Sequence, residues 1–265
     1  MKIISAFQRQ SGIVKVLLST LLVVIFICVY AVFHYGRINS AEDPRVREAR
    51  ELLLQYEKGI ASDQYGTALS ILKAMDLIYR NTDGYEQSFE RGVILNNMAS
   101  VHLVKLETGL LSDVAIDREV MLETLETAEK YTRQAIRLYD RWLTDMGEMT
   151  RDKVEQTVRP TFATGDPALV GVDVENVIQK RVDDIMLAQL ETIRRLSVTY
   201  TNLGVIERYK GNLEEAKMCY EKAIGLWDRN YTAKDNLSVL LNQPVNKRSI
   251  IDRLFPPERA AELNR

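Results

Sequence analysis

The chain has 265 residues, 46% of them hydrophobic, with 35 Lys and Arg against 37 Asp and Glu, a formal charge of −2 and a pI near 5.9. This length supports one sizeable core, and the interspersed charges leave no electrostatic case for a nucleic-acid partner. Six prolines, thirteen glycines and Val and Ile at mostly helical spacing argue against a β-rich chain and for an all-α fold.

Residues 16–33 carry no charge, and the apolar stretch 13–35 is long enough to cross a hydrocarbon core of ~30 Å. Tyr30, Phe33 and Tyr35 cluster at its far end, where amphipathic rings favour the interface. A cleaved signal peptide is the competitor, but its apolar core is shorter and ends in a small-x-small site, of which Asn39-Ser40-Ala41 is a poor version. The expectation is an uncleaved signal anchor over 13–36 behind a short cytoplasmic head, 1–12. Lys2, Arg9 and Lys15, with no acid beside them, keep that head inside and place the body outside the cytoplasm. Cys28 in this run and Cys219 in an expected helix read as small hydrophobes.

The body, 37–243, reads as helices throughout. Asp43-Pro44 opens a first helix that continues over 46–56, since Pro suits the first turn. Tyr65, Ala68, Leu72, Met75 and Ile78 mark a second helix by spacing that places all five on one stripe. Residues 95–102 form a third helix. Leu125, Ala128, Thr132, Ala135 and Leu138 repeat the same ruler, and Ala99 stands where its partner helix should touch it. The interval from Ala99 to Ala128 is too long for a simple pair, which predicts an insertion over about 103–124 with an extended turn near 110–117.

Helix is then expected to continue from 137 to 153. A loop follows at Arg159-Pro160 and Thr164-Gly165-Asp166-Pro167. One long helix is expected over 174–209, striped by Val174, Ile178, Val182, Ile185, Gln189, Ile193, Leu196, Tyr200 and Leu203. These segments define a second insertion, 140–195, expected to project beyond the stack as an interaction element.

The run 196–228 is the most regular unit: two short amphipathic helices around Gly211, with Gly204, Ala216 and Ala223 where they meet. A last helix over 233–241 would cap the stack, and Asn242 and Pro244 would end it. The tail 244–265 is read either as docked on the body or as a segment offered to a partner.

Tyr200, Leu203, Gly204, Gly211, Ala216, Tyr220, Ala223 and Leu226 fall at intervals that resemble the tetratricopeptide repeat. Two positions depart from that pattern: Glu207 replaces an aromatic or His, and Asp228 replaces the closing Pro. The resemblance implies a solenoid of about three helix pairs whose packing rests on Ala68, Ala99, Ala128, Ala135, Gly204, Gly211, Ala216, Tyr220 and Ala223. It also implies that first helices line a concave groove that holds a protein partner. By that analogy Asn96, Asn97, Ser100, Thr201, Asn202, Val205, Arg208 and Tyr209 face inward. Thr201 and Val205 replace the Lys and Asn set with which some relatives clamp a C-terminal carboxylate.

No catalytic set stands out. His34 lies at the membrane edge and His102 on a repeat helix, and HExxH, Walker A, GxSxG and paired CxxC motifs are absent. Neither a cofactor nor a metal is expected, and the chain is read as a non-enzyme. The leading reading is a single-pass inner-membrane adaptor whose periplasmic repeats hold protein partners in a cell-envelope complex. Bacterial anchored assembly factors, spirochaete flagellar-collar proteins among them, are similar in layout. The alternative is a regulatory module that senses a peptide or lipid and controls a neighbouring membrane protein.

Overall fold

The computed structural model describes residues 42–111, 117–162 and 165–245. The expected head, the anchor over 13–36, Cys28, His34 and the tail from 246 onward lie outside the described residues. Among the described residues the regular structure is entirely helical, and no helix is long and apolar enough to cross a membrane.

A 3-10 turn, Pro44–Val46, leads into α1, Arg47–Ala61. Asp43 caps that turn, its carboxylate accepting from the Arg45 N–H at 3.0 Å. α2, Tyr65–Arg80, returns antiparallel and buries Ala68, Leu72, Met75 and Tyr79 against Val46 and Ala49. Tyr56 stands 12 residues before Ala68, the interval that separates Gly204 from Ala216, yet the α1 and α2 backbones approach at Gly59, where an added Cβ would lie 3.7 Å from that of Ala68. The connection explains the difference. It is a tight turn over 62–64 with Asp63 at φ 54°, so the facing residues lie nearer the turn.

The second pair is α3, Phe89–Leu111, and α4, Arg118–Met146. The insertion expected over 103–124 is therefore mostly helix: the pair is longer rather than interrupted. Leu103 and Leu106 extend the buried face of α3, and Leu125 and Ala128 meet them from α4, so helix is the form that buries these residues. A fully buried Leu such as Leu125 contributes about 1.5–3 kcal/mol.

α4 stops at Met146 instead of running to 153. Gly147 caps it, and Thr150 is extended before a short α5, Arg151–Val158. The 3-10 turns Arg159–Thr161 and Pro167–Leu169 follow. α6, Val174–Lys210, is a single helix of 37 residues. It ends at Gly211, whose φ of 88° lies in the left-handed region that only glycine enters without strain. α7, Leu213–Leu226, packs on the second half of α6, and α8, Tyr231–Leu240, covers α7. Asn242, at φ 54°, terminates α8.

The pairs α1/α2, α3/α4 and α6/α7 pack in succession, each second helix against the next first helix, with α8 as the cap. Ala68, Ala99, Ala128, Ala135, Gly204, Ala216, Tyr220 and Ala223 are all buried, while Gly211 is exposed at its turn. Tyr220 lies against Gly204, and Tyr139 of α4 lies against Gly92 of α3 in the same way. The α3/α4 pair therefore has its own glycine–tyrosine seat.

The second insertion folds back instead of projecting. Val154, Val158, Val177, Ile178, Val182 and Ile185 form a core with Phe89 and Trp142, residues of the second pair. Arg45 ties this region to the start of the first pair: its Nη1 donates to the Thr161 carbonyl at 2.7 Å, and its guanidinium lies 4.1 Å from the Phe162 ring centroid. The stripe on α6 also differs from its expected register. Ile193 is 40% exposed while Ala188 and Thr192 are buried, because α6 packs on α4 and α5 first and between α4 and α7 later.

Candidate functional site

Five of the eight residues expected on the inner face gather where α3 and α6 run side by side. The Asn202 side-chain amide donates to Asn96 Oδ1 at 3.0 Å and to Ser100 Oγ at 3.1 Å, and Ser100 Oγ donates to the Asn96 carbonyl. These three side chains are half-buried and bonded to one another. They fix the spacing of the two first helices, and a bound segment would have to compete with those bonds. Val205 packs against the Leu103, Leu106 and Ile206 cluster. The Tyr209 hydroxyl donates to Glu107 Oε1 at 3.5 Å, which crosses from α6 back to α3. Arg208 lies 5.5 Å from the Tyr209 ring centroid, and Asn97 is half-exposed on α3.

Thr201 is elsewhere. It is 3% exposed; its hydroxyl donates to the Ser197 carbonyl at 3.1 Å and accepts from the Asn230 amide at 2.9 Å. Asn230 also donates to Ser197 Oγ, and its Oδ1 accepts from the Ala233 N–H to cap α8. Thr201 therefore belongs to the buried polar knot that seats the cap helix. Thr199 and Thr201 turn towards different neighbours from Asn202, because a helix rotates about 100° per residue.

Two residues that the sequence pattern did not single out as functional hold the scaffold together. Glu207, 4% exposed, accepts from Arg133 of α4 at 3.0 Å and from the Asn212 amide at 2.8 Å. Beside it Lys210 donates to Glu129, which also accepts from Arg133. Burial works to raise the Glu129 pKa, but the hydrogen bonds from Lys210 and Arg133 prevail and hold it below the usual range. The acid that departs from the repeat pattern thus clamps α4 to the α6–α7 turn.

Arg181 is the second. It is 4% exposed, pairs with Glu90 of α3 and lies 3.9 Å from the Tyr85 ring centroid. Burial opposes its charge, yet Glu90 outweighs burial and keeps the guanidinium pKa above its ordinary value. Its signal in the sequence was a charge one turn from Val177 and Ile185, inside the apolar stripe.

The chemistry available on the inner face is hydrogen bonding, stacking and charge. Burial pushes the Cys219 thiol up to about 11, so it is un-ionised at neutral pH. Among the described residues no group of three His, Cys, Asp or Glu side chains is placed to hold a metal ion.

These features define an all-helical repeat scaffold. A family model for the tetratricopeptide repeat matches residues 198–226, the last third of α6 together with α7. The match supports the resemblance in the unit where Gly204 seats Tyr220, and it marks that unit as a protein–protein interaction module. No curated protein matches the chain.

Proposed function

We propose that the chain is a membrane-anchored adaptor that holds a protein partner on the inner face of its helical repeats, with no catalytic activity of its own. The observation that carries this reading is the bonded Asn96–Asn202–Ser100 bridge between two first helices, with Tyr209 reaching across to Glu107 and Arg208 beside the Tyr209 ring. The bridge holds two first helices at a set spacing, and the neighbouring polar and aromatic groups suit contact with a peptide backbone. The apolar run over 13–36 is the proposed anchor, with the body in the periplasm and the partner in a cell-envelope complex, such as one served by a flagellar-collar type of factor. Anchoring raises the effective concentration of the body towards a partner at the same membrane.

Photo-crosslinking from Asn97 and Arg208 in intact cells, followed by mass spectrometry, tests the partner. Recurrent crosslinks to one envelope protein, abolished by Tyr209→Ala, are expected. Crosslinks that do not respond to Tyr209→Ala would refute the inner face as the site. A cysteine placed at exposed Glu148 tests orientation, and labelling only after lysis would refute export.

A further inference from the structure

We propose that the groove between α2, α3 and α4 is a second interaction surface, one that takes an acidic amphipathic segment of a partner protein. It is lined by α2, α3 and α4 and shares no lining residue with the inner face. Two adjoining hollows of about 330 and 270 Å³ share Arg80, Leu95 and Gln134 and together form it.

Its rim is cationic. Arg80 of α2, Arg91 of α3, and Arg137 and Arg141 of α4 line the second hollow, and Lys73 lines the first. Arg137 and Arg141 are exposed one turn apart, and exposed Lys130 precedes them on the same stripe of α4. Asp76 is the acid among the lining residues. It is buried and divided between Arg80, at 2.6 Å, and Arg91, at 2.8 Å. Asp140 on α4 is the nearest acid in sequence, and it interacts with Lys222 of α7. One carboxylate therefore faces five cations in a chain whose formal charge is −2.

The floor is apolar. Leu77, 56% exposed, lines the first hollow with the buried Leu95 and Met98, and the buried Leu138 lines the second. Like charges held this close repel, and an incoming anion relieves that repulsion while the exposed Leu77 gains cover. A planar layer of anionic headgroups would meet the rim and leave the recess empty. A helix with Leu on one stripe and Glu flanking it supplies both parts.

The test uses the full-length chain in non-ionic detergent and a labelled helical peptide with Leu at i, i+3, i+4 and i+7 and Glu elsewhere. Fluorescence anisotropy should show saturable binding that weakens as NaCl rises. The double variant Arg137→Glu/Arg141→Glu, at exposed positions, should lower affinity by about tenfold or more. Leu77→Ser should weaken binding by a smaller factor, and a peptide with Lys for Glu should not bind. Circular dichroism checks that both variants remain folded. Absence of binding, or binding that survives the charge reversal, overturns the proposal. Retention of phosphatidylglycerol vesicles in place of the peptide, lost on charge reversal, overturns it in favour of a lipid surface.

Discussion

Gly204→Ala adds one methyl group where α6 meets α7, and the geometry there sets its cost. The new Cβ would lie 2.5 Å from Tyr220 Cε1, 2.7 Å from Cδ1 and 3.0 Å from Cζ. Carbon atoms pack at about 3.5–4.0 Å, so the ring and helix must separate by roughly 1 Å. Tyr220 is fully buried and has no open space to swing into. Overpacking of this type costs about 1–3 kcal/mol, while replacing Gly in a helix interior returns about 1 kcal/mol of propensity. The expected net loss is up to about 2 kcal/mol, towards the upper end because three ring atoms lie within 3.0 Å of the new Cβ. Urea unfolding of the full chain, followed through tryptophan emission, reads it, with Trp227 placed just beyond α7. Gly225→Ala is the control: no atom lies within 4 Å of its added Cβ, so it should be neutral or slightly stabilising. The double variant Gly204→Ala/Tyr220→Leu should be less destabilised than the sum of its singles, since the clashing ring is gone. A Gly204→Ala protein as stable as the parent would show that the close seat of Tyr220 is not what holds these helices together.

Glu90→Gln leaves the Arg181 guanidinium buried without its counter-charge and should cost about 3–5 kcal/mol in thermal or urea unfolding. A loss below about 1 kcal/mol would mean that the pair is well solvated. Asn230→Ala removes a helix cap and two buried hydrogen bonds, for about 2 kcal/mol; amide exchange should quicken in α8 and leave α3 protected, and equal quickening in both would refute a local role. His102 tests the pH dependence. Burial, reinforced by Lys105 and Lys73, holds its imidazole below the ordinary 6.5, while the ring stacks on Tyr131. Because the folded pKa lies below the unfolded one, its contribution is present above about pH 6.5 and is lost as pH falls through the folded value. His102→Gln should flatten the change in unfolding midpoint between about pH 7 and pH 5, and an unchanged slope would remove His102 as the cause.

Much of the scaffold was legible because it rests on local spacing. The second helix of each pair shows the same ruler of small and bulky residues, and the αL turn at Gly211 and the long α6 were both readable in order along the chain. What spacing could not show was where distant segments meet. The contact of Gly59 with Ala68 depends on a turn made by Asp63, and the elongation of α3 and α4 depends on Leu103 and Leu125 facing each other. The fold-back of the second insertion depends on Arg45 reaching the Thr161 carbonyl and Arg181 reaching Glu90, across 116 and 91 residues. Of the inner face, Asn96, Ser100 and Asn202 come together, while Thr201 is claimed by the cap through Asn230, a pairing no periodicity encodes.

α6 has no joint between the region that holds Arg181 and the region that seats Tyr220. At 37 residues it spans about 55 Å, with α4 packed alongside. A tilt of about 5° at its amino end would sweep its far end through roughly 5 Å, since a continuous helix has no hinge in which to absorb it. The Asn202 bridge and Tyr209 sit on that far end. The folded-back insertion and the inner groove are therefore carried on one unbroken helix, the first near its amino end and the second near its carboxyl end.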